Sequence, residues 1–290
     1  MVDDIWHAGE VALQRRIGAE DKMAEIGKKV IRGYMPEQHR TFFRQLPFIV
    51  VGAVDHDGNV WAGIRSGVPG FIDSPNPQQL RIFGTGMSDD PMEAGIKKNT
   101  SVGLLGIELH TRRRNRMNGS IQAINDEWVD IHVEQSFGNC PKYIRERRIT
   151  SISAAPSPIT ILGGLDTKYR SLIESSETFF IASYADVHDQ RQVDVSHRGG
   201  APGFVSVDKN GLLTIPDFIG NNFFATLGNI HLNSRAGLTF IDFSGESMLQ
   251  MTGIAKILST DEVDRRYEGA QRFWQFSPQK IFYRHLRVNG

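Results

Sequence analysis

One cysteine, Cys140, stands in 290 residues, so an intrachain disulfide and a cysteine-rich zinc centre are both excluded. No apolar run reaches the ~18 residues that a membrane-spanning helix needs. Net charge is absent too. Thirty-three basic and 33 acidic side chains cancel, so no overall field favours nucleic acid or an anionic membrane. The chain lacks a Walker A sequence, a GxGxxG loop and an HExxH pattern, and its nine histidines show no metal-ligand spacing. His188, between Asp186 and Asp189, reads as part of a turn, and no metal is expected. The opening stretch Met1–Trp6 is acidic and has no signal-peptide pattern, which points to a cytoplasmic protein.

What is present is a long internal echo. Arg65-Ser66-Gly67-Val68-Pro69-Gly70-Phe71 returns as Arg198-Gly199-Gly200-Ala201-Pro202-Gly203-Phe204. Asn99-Thr100-Ser101-Val102-Gly103-Leu104 returns as Asn233-Ser234-Arg235-Ala236-Gly237-Leu238, and Gly119 returns as Gly253. A near-constant offset of this size is too long for a solenoid and implies two copies of one unit. The expected division is an N-terminal helical segment over 1–45, a first copy over 46–155 and a second over 156–290. The linker lies near Ala154-Ala155-Pro156-Ser157-Pro158.

Local patterns give the class of each unit. Residues 5–45 read as helical, interrupted at Gly18 and Gly27 and ended by Pro36. Phe48–Val54, a turn at Asp55–Asn59 and Val60–Ile64 read as a hairpin; Leu80–Phe83, Val102–Leu109 and Ile121–Val133 continue the sheet, with Trp128, Ile131 and Val133 inward. Pro91–Lys98 reads as a short helix. The second copy repeats the order through Phe179–Ala182, Val193–Val195, Phe204–Val207, a turn at Asn210-Gly211, Leu212–Ile215, Gly237–Phe243 and Met248–Ile257. A closing helix is expected over Asp261–Phe273. Short antiparallel strands with tight turns indicate a mainly β chain of small barrels with flanking helices.

Chemistry concentrates in few places. Asp194-Val195-Ser196-His197-Arg198-Gly199-Gly200 sets a carboxylate, a hydroxyl, an imidazole and a guanidinium beside two glycines, which let a ligand approach the backbone. A strand ending in a solvated bend remains the alternative. Asp217, Asn221, Asn222 and Thr226 offer donors and acceptors near a helix start, suited to a polyol or phosphate tail, or else they form a capped loop. Asn139-Cys140-Pro141-Lys142 fits an N-cap with proline in the first turn, an anion site completed by Lys142. No base or orienting group supports Cys140 as a nucleophile. Arg112, Arg114 and Arg116 alternate along a strand and can converge, opposite Gln250 of the second copy, on a phosphate held by the other half; a solvated turn is the rival. The first copy keeps Arg65 but has Gly63-Ile64 where the second has Ser196-His197, so the second copy is the chemically equipped one.

These strings, together with Trp6–Glu10, Arg112–Gly119, Gly138–Ile144, Thr226–Ile230 and Leu249–Gly253, resemble the pyridoxamine 5′-phosphate oxidase-like, FMN-binding split β-barrel superfamily. The resemblance is nearest to its branch of flavin-nucleotide-binding proteins with two tandem split barrels. It implies FMN held between barrels, with Ser196–Gly200 lining the ring and ribityl chain and Asn221, Asn222 and Thr226 on the phosphate loop. That loop carries an Arg-Lys pair in the superfamily, which this chain lacks. Arg112, Arg114, Arg116 and Lys142 are then the suppliers of positive charge, with Asn139, Asp217 and Gln250 beside them. The implied function is an FMN-dependent oxidoreductase acting on an unidentified small substrate or redox partner, with a homodimer possible in the superfamily. A non-catalytic flavin carrier or sensor and an F420- or haem-binding relative are the alternatives.

Overall fold

The computed structural model describes residues 5–87, 89–155, 157–259 and 267–290. Three helices come first: α1 (Ala8–Arg16), α2 (Glu20–Val30) and α3 (Glu37–Arg44). His7 caps α1, its ring accepting from Gly9 N while Glu10 accepts from His7 N, a closed capping box. Gly18, at φ 66, does separate α1 from α2, as expected. Gly27 does not interrupt: it lies inside α2, where Trp6 fills the space of its missing side chain. Pro36 opens α3 rather than ending the helical region, because its fixed φ and missing N–H suit a helix start.

The first sheet contains β1 (Phe48–Val54), β2 (Val60–Ser66), β3 (Ile72–Asn76), β4 (Gln79–Phe83), β5 (Ser101–Glu108), β6 (Arg113–Ile124) and β7 (Trp128–Gly138), in the order β2-β1-β5-β6-β7-β4-β3. Residues 121–133 are thus two strands joined by a turn, and Trp128 is only half-buried, under Arg81, while Ile131 and Val133 point inward. The short helix expected over Pro91–Lys98 is a 3-10 turn, Pro91–Gly95.

Two short strands, β8 (Ser151–Ala154) and β9 (Thr160–Leu162), and α4 (Thr167–Ser175) lead into the second sheet. It contains β10 (Thr178–Val187), β11 (Gln190–Gly199), β12 (Ser206–Val207), β13 (Leu213–Phe218), then after α5 (Ala225–Leu232) β14 (Arg235–Asp242), β15 (Ser247–Ile257) and β16 (Ala270–Asn289). Its order is β11-β10-β14-β15-β16-β13-β12, the first sheet's order strand for strand, with β8 and β9 added along β16. Residues 261–266 of the expected closing helix lie outside the described residues. From Ala270 its end is β16, whose residues 270–276 pair with β13. All strand pairs are antiparallel, and each sheet curls on its own core in the manner of a split barrel.

Alternation along the strands explains the packing. Ile49 and Val51 enter the first barrel's core with Phe42, Leu104, Met117 and Ile131. Phe179 and Ile181 enter the second with Phe240, Leu249, Trp274 and Phe276. The intervening residues Phe48 and Val50 face Phe180, Ala182, Val195 and Met248, forming a third core where the two sheets meet. Strands buried on both faces read as unbroken apolar runs. Burial of each such side chain contributes about 1.5–3 kcal/mol, so the seam between barrels is as firmly made as either interior. No described helix is long and apolar enough to cross a membrane.

Candidate functional site

A cleft of about 870 Å3, its open mouth included, lies where β6 and the chain just after β7 face the ends of β11 and β13. Strand alternation selects its arginines. Arg114 and Arg116 point into the cleft, whereas Arg113 turns away to lie over the Phe42 ring at 4.5 Å. Arg112 does not join them. It sits in the preceding turn at φ 55 and pairs with Glu146 on the surface.

Each inward arginine is pinned differently. Arg116 Nη1 donates to both oxygens of Asp194, at 3.0 and 3.1 Å. Arg198 Nη1 donates to Asp217 Oδ1 at 2.6 Å, and Arg272 approaches Asp217 Oδ2 at 3.5 Å with its guanidinium over Phe224. Arg114 has no carboxylate. Its Nε donates to Cys140 O at 2.9 Å and its Nη1 to His197 Nδ1 at 2.9 Å. Burial, with Arg116 and Arg198 close by, pushes the Arg114 guanidinium down to about 9. The same burial and the same cations drive the His197 imidazole well below its ordinary range. A neutral ring whose Nδ1 accepts from arginine carries its proton on Nε2, which faces Thr178 Oγ1 at 3.4 Å.

The opposite wall is aromatic. Phe204, Phe218, Phe223, Phe224 and Tyr143 line it, with Tyr143 and Phe218 stacked at 5.4 Å and the Tyr143 hydroxyl donating to Ile219 O. Tyr143, Asn222 and Phe224 hold φ values of 65, 62 and 62, each a conformation costing of order 1 kcal/mol for a residue with a side chain. Three strained residues on one rim mark where packing serves the cleft rather than the chain.

Of the candidates named from sequence, the cleft gathers Arg114, Arg116, Asn139, Lys142, His197, Arg198, Gly199, Asp217, Asn221, Asn222 and Thr226. Ser196 stands behind the wall, fully buried, its hydroxyl 2.6 Å from Thr226 Oγ1. Gly200 is off the lining, and Gln250 lies in the other barrel's equivalent position, bonded to Ala62 O and Asp90. The glycine pair is not there for a ligand. The Tyr143 carbonyl occupies the space of a Gly199 side chain, and the Phe204 ring that of Gly200. No helix follows Asn139 either. Residues 139–149 cross from one barrel to the other without helical bonds, tied down at Cys140 O, and the positive φ of Tyr143 breaks any helical path. Arg272 and the aromatic wall were not singled out from the sequence, and Asp194 was named only as a carboxylate beside His197 and Arg198. Arg272 was hidden by the expected helix, while Phe223 and Phe224 lie between the candidates Asn222 and Thr226 and were given no role.

Among the described residues, three buried atoms in the cleft lack a partner: Arg116 Nε, Arg198 Nε and Asn139 Oδ1. Two donors and one acceptor, held in place yet unsatisfied, are costly unless a ligand or ordered water completes them.

Residues 35–159 match the family described as pyridoxamine 5′-phosphate oxidase. No curated protein matches the chain. Among solved structures, an FAD-binding protein from Mycobacterium smegmatis aligns at 13% identity over 44% of this chain and 99% of its own, TM-score 0.30. An FMN-binding protein from Syntrophomonas wolfei aligns at 10% identity over 43% of this chain and 92% of its own, TM-score 0.28. HupZ of Group A Streptococcus aligns at 12% identity over 40% of this chain and 91% of its own, TM-score 0.30. Residues 35–159, less than half of the chain, thus match the pyridoxamine 5′-phosphate oxidase family, and the two sheets share one strand order.

Proposed function

We propose that the cleft binds FMN and that the chain is an FMN-dependent oxidoreductase acting on a small substrate. One observation carries the ligand. Arg114 is a buried guanidinium with no acid partner among the described residues, beside arginines whose Nε atoms are unsatisfied there. Four guanidiniums (Arg114, Arg116, Arg198, Arg272) face two carboxylates (Asp194, Asp217), which leaves two guanidinium charges in surplus, with the exposed Lys142 on the lining besides. A phosphate monoester, at roughly −1.5 to −2, matches that surplus. The facing aromatic wall suits a flat conjugated ring.

In this reading Arg114, Arg116 and Arg198 hold the phosphate by charge-assisted bonds, and Asn139 accepts from a polyol hydroxyl. His197 fixes Arg114 in place, and the Tyr143–Phe218 stack with Phe223 and Phe224 excludes water from the ring. The flavin, when bound, supplies the hydride or electron transfer; the protein supplies binding and orientation. The identical strand orders support an origin by internal duplication, with units over 46–155 and 156–290 and the N-terminal segment added to them.

A non-catalytic flavin carrier is the second reading. What favours it is His197: among the described residues it is the one imidazole on the cleft, and it is held neutral and engaged at both nitrogens. Titration of the purified chain with FMN and with riboflavin, read by flavin fluorescence, tests the ligand. FMN should bind at least tenfold more tightly than riboflavin. Arg198→Ala should weaken FMN by about 10–100-fold, the 1.5–3 kcal/mol of a charge-assisted bond, and leave riboflavin unchanged. Equal affinity for the two flavins removes the phosphate assignment. Anaerobic reduction and stopped-flow reoxidation of the bound flavin then separate enzyme from carrier.

A further inference from the structure

The first barrel has a position equivalent to the cleft, and strand register identifies it residue by residue. Arg65 lies opposite Ile49 on β1 as Arg198 lies opposite Phe179 on β10. Gln250 lies opposite Thr239 on β14 as Arg116 lies opposite Leu105 on β5. Arg284 lies opposite Met248 as Asn139 lies beside Arg114. At all three pairs of positions both members carry a buried polar atom without a partner: Arg198 Nε and Arg65 Nη1, Arg116 Nε and Gln250 Oε1, Asn139 Oδ1 and Arg284 Nε. Arg65, Gln250 and Arg284 are 6%, 1% and 3% exposed, so these atoms are sealed from solvent.

We propose that this position is a second anion site, permanently filled by the chain's own acidic segment Asp89–Glu93, so that each chain takes one phosphorylated ligand and not two. Three carboxylates stand where an anion would. Glu93 receives Arg65 through Nε and Nη2, Asp89 receives Arg284 Nη2 at 2.9 Å, and Asp90 Oδ1 receives Gln250 Nε2 at 2.9 Å. Met92, fully buried, presses into the space that a side chain at Gly63 would occupy. Ser196, the equivalent of Gly63, instead has its side chain and bonds to Thr226. The segment does not reproduce a ligand completely. Arg65 Nη1, Arg284 Nε, Gln250 Oε1 and Asp90 Oδ2 remain over, two donors and two acceptors that internal water would complete. Burial raises the Asp90 carboxyl to about 6, as expected of a carboxyl enclosed by the chain.

The stoichiometry rests on the FMN reading; the self-filled site does not. Two measurements separate them. FMN titration of the full chain should saturate at one equivalent, and two equivalents overturn the inference. Thermal unfolding of the parent and of the Asp90→Asn/Glu93→Gln variant, with and without inorganic phosphate, tests the site itself. Unpairing Arg65 by removing the Glu93 charge, a loss that outweighs the relief of the buried Asp90 charge, should lower the unfolding temperature. Phosphate should then restore several degrees to the variant beyond what it gives the parent, because an anion bound only to the folded chain stabilises it. A variant that loses no stability, or gains no more from phosphate than the parent, overturns the inference whether or not FMN binds. If the double variant does not fold, Glu93→Gln alone is held to the same criterion.

Discussion

Helix α5 and the 3-10 turn Pro91–Gly95 are the same link in the two barrels, each joining the strand that pairs along β16 or β7 to the next strand in sequence, β14 or β5. Their difference decides which barrel has a cleft. α5 is held outward by α1, which crosses it at Gly9 and Gly228, where neither residue has room for a side chain. His7 reinforces the crossing through Asn229 at 2.8 Å. From α5 the small Thr226 reaches toward Ser196 and Asp194. The 3-10 turn has no such support. It drops Met92 and Glu93, with Asp90 just before them, into the equivalent space, where Glu93 takes Arg65 and Asp90 takes Gln250. Whether the basic side chains face an open cleft or their own chain therefore follows one connection, and the helix docked behind it.

The largest effect should come from unpairing the arginine that the cleft depends on. Arg116→Met leaves Asp194, whose side chain is 4% exposed, as a buried charge without its cation, with only the Thr226 hydroxyl at 3.4 Å. Breaking such a pair costs about 3–5 kcal/mol. Gln250→Met, at the equivalent position, leaves only Ala62 O and Asp90 Oδ1 short of a neutral donor, a loss of about 1–3 kcal/mol. Urea unfolding of the two variants should show that order. A larger loss for Gln250→Met would mean that the sealed site, not the open one, carries the greater electrostatic load.

Much of this was legible in the sequence because strands announce themselves locally. The Asn210-Gly211 turn, the alternation that turns Arg114 and Arg116 together and the apolar runs of β1 and β10 follow from period and turn chemistry alone. Other features depend on distant partners. Arg112 looked like a third converging arginine, but the turn before β6 takes it at φ 55 to Glu146. Asn139-Cys140-Pro141 has the composition of a helix start, yet a crossing segment held by Arg114 overrides that preference. Gly199-Gly200 suggested an approach for a ligand, and only the fold shows Tyr143 and Phe204 in the vacated space. The aromatic wall is assembled from β13, the residues before α5 and the crossing segment, so no single stretch of sequence displays it.

Acidity separates the two links next. Burial lifts Glu10, under α5, from 4.5 to about 8, and Asp90, in the 3-10 turn, from 3.8 to about 6. Each carboxyl binds its proton more tightly folded than unfolded. Each therefore contributes stability that is complete below its unfolded value and lost as pH rises through its folded one. His7 and His197 are shifted downward, so their contributions are complete above about 6.5. Between pH 6.5 and 8 the decline belongs to Glu10, at most about 1.4 kcal/mol per pH unit. Unfolding temperature against pH should fall across that window in the parent and run flatter in Glu10→Gln. Parallel curves would place Glu10 in contact with solvent, and with it the packing of α1 on α5.

The smallest change is also the most direct exchange between the barrels. A side-chain carbon at residue 63 would come within 2.9 Å of Met92 Cβ and 3.1 Å of Asp90 Oδ1. Gly63→Ser should therefore cost about 1–3 kcal/mol as overpacking and leave FMN affinity untouched, since nothing in the cleft contacts it. Ser196→Gly should cost nearer 1 kcal/mol, one buried hydroxyl bond, and loosen FMN by freeing Thr226 and Asp194 behind Arg116. Residues at equivalent positions should thus report on different quantities, stability in one barrel and ligand in the other. If Gly63→Ser weakened FMN instead, the first barrel's filled site would be coupled to the cleft through the shared core, and the two positions could no longer be treated as independent.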